Sequence, residues 1–139
     1  VQFLESVDGL EVMQAIREFS PIVIVNIGGN NALQQRIEGL GNWFDRLIRL
    51  LPEAYGCLCP PIHLSYLEKI TDVQKLKINV ATVNGEIARV FKSRCIDLYT
   101  PFLSNGGEAY ITVLEDAVHF SDEADKNIRI PILRKAVGL

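Results

Sequence analysis

The chain has 139 residues, 48% hydrophobic and 22% charged, with a net charge of -3 at pH 7. That length suits a single domain, 1–139, with a core of its own. With 14 Lys plus Arg and no basic cluster, the chain lacks the cationic surface that nucleic acid demands, and no apolar run approaches the ~20 residues of a membrane-crossing helix.

In chain order, residues 1–4 are predicted as a short strand and residues 5–9 as a turn. A helix follows, with Leu10, Val12, Met13, Ile16 and Phe19 at helical spacing, and Ser20-Pro21 stops it because a residue before proline avoids helical geometry. The run Ile22-Val23-Ile24-Val25-Asn26-Ile27 is almost unbroken in apolar, β-branched residues. It reads as a strand buried on both faces, as in a parallel sheet covered by helices. Gly28-Gly29 gives this strand a sharp exit, and Asn30-Asn31 supplies amides at its carboxyl end, the side on which open α/β sheets bind ligands.

Leu33, Ile37, Leu40, Phe44, Leu47 and Leu51 then form one apolar stripe, predicting a continuous helix that ends at Pro52, with Gly41 inside it marking a bend or close packing. Residues 54–59 are the next strand, closed by Pro60-Pro61, and 62–71 a loop or short helical insertion. Helical periodicity resumes at Asp72 and runs through Val73, Leu76, Val80, Val83, Ile87 and Val90. Residues 95–99 are a further strand, broken by Thr100-Pro101, and Asn105-Gly106-Gly107 marks a loop. Ile111 to Glu115 leads into Asp116-Ala117-Val118-His119, after which Ser121 N-caps a helix that Pro131 kinks or restarts. Strands alternating with helices predict an α/β fold, a three-layer α/β/α sandwich with a parallel sheet.

Cys57 and Cys59 fall two apart in a predicted strand, share a face and read as core thiols, as does Cys95. No C-x-x-C pair or suitably placed histidine accompanies them, so no metal site is expected, and unpaired thiols point to a reducing compartment such as the cytoplasm. Asp116 and His119 stand three apart: a carboxylate at that spacing can hold one imidazole nitrogen and free the other as a base. The same pair also reads as a helix-capping aspartate with an incidental histidine. Asn30 can donate its amide to an oxyanion, with the Gly9 N–H beside it, or can simply cap the next helix. His63 reads as a rim residue and Trp43 as packing, while Tyr66, Tyr99, Phe102 and Tyr110 either shape a pocket or pack. Gly28-Gly29-Asn30-Asn31 is not the G-x-G-x-x-G of dinucleotide sites.

Taken together, these blocks resemble the SGNH, or GDSL-type, esterase and lipase family along essentially the whole chain. Leu4-Glu5-Ser6-Val7-Asp8-Gly9 is similar to the family's glycine block, and the stretch from Pro21 to Asn31 to its G-x-N-D block. Pro60-Pro61, Asn84-Gly85-Glu86-Ile87 and Ile96-Asp97-Leu98-Tyr99 follow in family order, and Asp116-Ala117-Val118-His119 matches its D-x-x-H block. The resemblance implies a flavodoxin-like sheet and a cofactor-free hydrolase of small-molecule, glycan or lipid esters. His119 would be the base, Asp116 its orienting acid, and Asn30 and Gly9 the oxyanion donors.

Two departures matter. Residue 31 is Asn where the family has Asp, and the Gly-Asp-Ser block that carries the nucleophile is absent. A base and an oxyanion hole cannot run acyl transfer without a nucleophile. The serine is therefore expected on a preceding segment or a partner chain. The alternative is a degenerate relative that serves as a non-catalytic binding or assembly subunit.

Overall fold

The computed structural model describes residues 2–34, 36–62, 72–103 and 119–139. The predicted His63, Tyr66, Tyr110 and Asp116, and the loops around 62–71 and 105–107, lie wholly or largely outside these residues. The fold is mixed α/β, built on an open three-stranded parallel sheet in the order β1 (Ile24–Val25), β2 (Tyr55–Cys57), β3 (Cys95–Ile96). Ile24 pairs with Tyr55 and Val25 with Gly56, while Gly56 pairs with Cys95 and Cys57 with Ile96.

Residues 2–5 form a turn rather than the predicted strand. Both the Ser6 N–H (3.0 Å) and the Ser6 hydroxyl donate to the Phe3 carbonyl, which removes that acceptor from any ladder. The Ser6 oxygen also accepts the Gly9 N–H at 3.1 Å and so caps helix α1 (Val7–Phe19). Local capping wins here because, among the described residues, no strand lies alongside to reward an extended backbone. Helix α1 stops at Ser20, in the left-handed region at φ 45°, as Ser20-Pro21 predicts.

The run 22–27 is not buried on both faces. Ile22 is 53% and Ile24 37% exposed, whereas Val23, Val25 and Ile27 pack against the core. This alternation follows from position. β1 is a margin of the sheet, with β2 its single strand neighbour among the described residues.

The predicted continuous helix over 33–51 is two helices, α2 (Gly29–Leu33) and α3 (Leu40–Leu50). The break falls at Gly39, not at Gly41: Gly39 takes φ +73° and starts α3, a conformation glycine adopts at little steric cost. The apolar stripe survives the interruption, with Leu40, Phe44 and Leu47 all buried. Helix α4 (Val73–Phe91), capped by Asp72 accepting the Lys75 N–H at 2.9 Å, lays Leu76, Val80, Val83 and Ile87 into the same core. It packs on α2, α3, β2 and β3.

Side chains on a strand alternate between faces, and β2 shows it. A Cβ on Gly56 would lie 2.2 Å from the Phe91 ring of α4, while Tyr55 and Cys57 join a second cluster with Ile96, Leu98, Phe102 and Phe120. Gly56→Ala is accordingly expected to lower unfolding free energy by about 3 kcal/mol through overpacking. A urea midpoint equal to wild type would contradict this contact.

The C-terminal segment completes the second cluster. Ser121 accepts the Ala124 N–H and caps α5 (Asp122–Ala124), as predicted. The helix continues without a break through a widened π-type turn over Asp125–Arg129 into α6 (Ile130–Ala136), and Pro131 stands directly after that turn. The Phe102 and Phe120 rings lie 4.7 Å apart, and the Arg129 guanidinium stands 5.3 Å from the Phe120 centroid.

Cys57 and Cys59 do not share a face, because β2 ends at Cys57. Cys57 belongs to the second cluster and Cys59 to the first. Both are buried free thiols. Burial pushes Cys57 up from 9.0 to about 11, with Arg129 opposing, and Cys59 up from 9.0 to about 12. In the unfolded chain these thiols ionise near 9.0. Their contribution to stability is therefore complete below that value and is lost as pH rises through the folded values. Urea unfolding with reductant present should show a progressive loss of stability across that alkaline window. A Cys57→Ala, Cys59→Ala double variant should lack that part of the slope, and an unchanged slope would refute the assignment.

Candidate functional site

Several of the residues singled out from sequence directly follow a strand. Chain direction fixes this: β1 runs into Gly28 and Asn30, β2 into Cys59 and Pro60, and β3 into Asp97 and Thr100.

Gly28 is buried at φ +106°, and a Cβ there would stand 2.6 Å from Val83 Cγ1. Both the conformation and the close approach to α4 exclude a side chain. This glycine delivers Asn30 onto the short helix α2, where Asn30 is exposed and its side-chain amide makes no hydrogen bond among the described residues. Its backbone carbonyl accepts the Gln34 N–H at 2.9 Å. Asn31 is engaged instead: its Nδ2 donates to the Arg36 carbonyl at 3.2 Å and ties down the loop after α2. An aspartate could not donate that bond.

Gly9 lies in the first turn of α1, buried, with its N–H committed to the Ser6 hydroxyl oxygen. The described geometry therefore offers Asn30 as the available donor. His119 is exposed and immediately precedes Phe120, whose ring packs beside Phe102 in the segment following β3. Asn30 follows β1, and among the described residues β1 and β3 are the two margins of the sheet, two strand spacings of roughly 5 Å each apart. Asp116 lies outside the described residues, so the Asp116–His119 pair is not described.

The serines bear on the missing nucleophile. Ser6 and Ser121 spend their oxygens as helix caps, and Ser20 and Ser93 precede β1 and β3, at the opposite ends of the strands from Asn30. Ser65 and Ser104 lie outside the described residues. Cys57 and Cys59 are poor nucleophiles, since burial holds both as thiols. Among the described residues no group of His, Cys, Asp and Glu could hold a metal ion. No described helix is long and apolar enough to cross a membrane.

Two polar residues build the rim without having been marked as structural from sequence. Asn84 on α4 is buried and brackets Cys59: the Cys59 N–H donates to Asn84 Oδ1 at 2.7 Å, and Asn84 Nδ2 donates to the Cys59 carbonyl at 3.0 Å. The side-chain amide takes over at Cys59, one residue beyond the Leu58 N–H, which still donates to the Ile96 carbonyl of β3 at 3.0 Å. The available signal was a polar residue inside an otherwise apolar helical stripe. Asp97 accepts the Tyr99 and Thr100 N–H groups, each at 2.9 Å, and starts the short turn Thr100–Phe102. Burial raises its carboxyl, but the Thr100 N–H and hydroxyl and the Tyr99 N–H outweigh that and hold it below the usual carboxylate value.

No family model matches the chain, and neither a curated protein nor a solved structure is similar to it. Function has to be argued from the rim itself.

Proposed function

We propose that this chain forms the larger part of a serine-type hydrolase of carboxylic esters, with a three-layer α/β/α architecture of the SGNH kind. The observation that carries the reading is Asn30: an exposed side-chain amide with no partner among the described residues, set just past the carboxyl end of β1 by a glycine that tolerates no side chain. An oxyanion donor has to be left unconsumed by the protein, and here the backbone that carries it is set by the Gly28 turn. The two apolar clusters, one against α4 and one against the C-terminal helices, support helical layers on both faces of the sheet.

In the proposed reaction His119 takes the proton of a serine hydroxyl as that oxygen attacks the ester carbonyl, then returns it to the departing alcohol. Asp116 orients the imidazole, and Asn30 stabilises the tetrahedral oxyanion, joined by the Gly9 N–H if Ser6 releases it. Water repeats the sequence to free the acid. The serine belongs to a segment or partner chain outside these residues. Support for its docking place comes from the open edge of β1 and the exposed Ile22 and Ile24 beside it.

A fluorophosphonate reagent tests this on the complete gene product. It should label one serine stoichiometrically and abolish hydrolysis of p-nitrophenyl acetate, and peptide mass mapping should place the label outside the 139 residues. Absence of both labelling and hydrolysis would favour the second reading, a non-catalytic binding or assembly subunit, for which the same open β1 edge is the supporting observation.

A further inference from the structure

The amino ends of the strands carry a second feature, unconnected with the ester chemistry. Where α1 ends and β1 begins, facing the end of α3 and the start of β2, the fold leaves a cavity of about 710 Å3. That is within the size range of small-molecule sites. Its apolar wall is made by Met13 and Ile16 from α1, Val23 before β1, and Leu50 and Leu51 at the end of α3, with charged and polar side chains along its open side.

Its charges are not neutralised. Arg17 and Arg49 both line the cavity, and neither has a hydrogen bond or ion pair among the described residues. Arg36 and Arg134 are likewise without a carboxylate partner among the described residues, whereas Arg46 is tied to Glu5, Arg89 to Asp45 and Glu86, and Arg129 to Asp125. The remaining charges of the lining, Arg94 and Glu53, already satisfy each other at 2.9 Å. An apolar chamber whose uncompensated charge is two guanidiniums selects a ligand with an apolar body and an anionic head. A neutral amphiphile forfeits the charge-assisted bonds, and a cation is repelled.

We propose that the cavity between α1, α3 and the entry of β1 binds a small amphipathic carboxylate, its apolar part against Ile16, Val23 and Leu50 and its carboxylate on Arg17 and Arg49. The site lies at the amino ends of the strands, whereas Asn30 follows the carboxyl end of β1, so its two arginines take no part in the proposed hydrolysis.

Dodecanoate, below its micelle concentration, is the probe, titrated into the intact protein by calorimetry while the methyl resonance of Met13 is followed. Met13 is the chain's single methionine and lines the cavity. Dodecanoate is expected to bind and to move that resonance, dodecan-1-ol to bind at least about tenfold more weakly, and dodecyltrimethylammonium not to bind. An Arg17→Gln, Arg49→Gln double variant should lose about tenfold or more in dodecanoate affinity and change little towards dodecanol, and higher ionic strength should act in the same direction. Both arginines are exposed and partnerless, so the fold should tolerate the change, and Arg134→Gln on α6 serves as the control for simple loss of charge. Absence of dodecanoate binding, equal affinity for acid and alcohol, an unaltered double variant, or binding that leaves Met13 unmoved would each overturn the proposal.

Discussion

His119→Ala, made in the complete gene product, is expected to lower kcat/KM for p-nitrophenyl acetate by about a thousandfold. The loss should fall on kcat with little change in KM, because a general base acts in the transition state and not in ground-state binding. Circular dichroism and the urea midpoint, read alongside, separate a chemical loss from unfolding. Asn30→Ala should cost about 3 kcal/mol of barrier, roughly a hundredfold, by withdrawing one oxyanion donor. The two losses should not simply multiply, since base and oxyanion hole serve the same step. Equal hydrolysis by wild type and His119→Ala would remove this histidine from the reaction, and a loss accompanied by unfolding would mark it as structural.

The second large effect concerns stability. Asn84→Ala is expected to reduce unfolding free energy by about 4 kcal/mol, seen as a lower urea midpoint at unchanged slope. The amide is 9% exposed and makes two hydrogen bonds to the backbone of Cys59, one accepted and one donated. Alanine leaves a buried N–H and a buried C=O without partners, and each such group costs about 1–3 kcal/mol. Asn84→Asp separates the two bonds. Its carboxylate still accepts the Cys59 N–H but meets the Cys59 carbonyl with like partial charge, so this variant should also be markedly destabilised. A midpoint within experimental error of wild type for both would mean that Asn84 does not hold the end of β2.

This bracket also connects stability to the candidate site. Cys59 Sγ would sit 3.5 Å from a Cβ on Gly28, and Val83, the neighbour of Asn84, would meet the same Cβ at 2.6 Å. The Gly28 turn that presents Asn30 thus rests on the residues that Asn84 fixes. Loosening Cys59 is expected to loosen the presentation of Asn30.

Much of the fold can be read locally. Ser20-Pro21 ends α1 because proline restricts its predecessor. Ser121 caps α5 because a serine oxygen reaches the free N–H groups of a first turn. The spacing of Leu76, Val80, Val83 and Ile87 marks the buried face of α4. Gly28 turns the chain out of β1 because a positive φ suits a residue without Cβ. In each case the physical cause lies within a few residues of its effect.

Other features depend on what lies alongside. Residues 2–5 become a turn because Ser6 captures the Phe3 carbonyl, and a strand needs a neighbour to outbid such local bonds. The 22–27 run has the composition of a doubly buried strand, yet Ile22 and Ile24 are exposed because β1 is a sheet margin. Apolar composition alone does not say which face is covered. The apolar stripe through Leu33 and Leu51 keeps its period across a break at Gly39, since both halves pack on the same helix, α4.

Sequence by itself determined the alternation of strand and helix, the helix caps, and the presence of an amide and an imidazole after strands. Tertiary structure alone decided which of these groups are free to act. The Gly9 N–H was consumed by Ser6, the Asn31 amide by Arg36, and the Asn84 amide by Cys59, while Asn30 was left exposed and Arg17 and Arg49 were left around an apolar cavity. The reason is that hydrogen-bonding capacity belongs to a residue type, but its availability depends on whether a partner from elsewhere in the chain has already taken it.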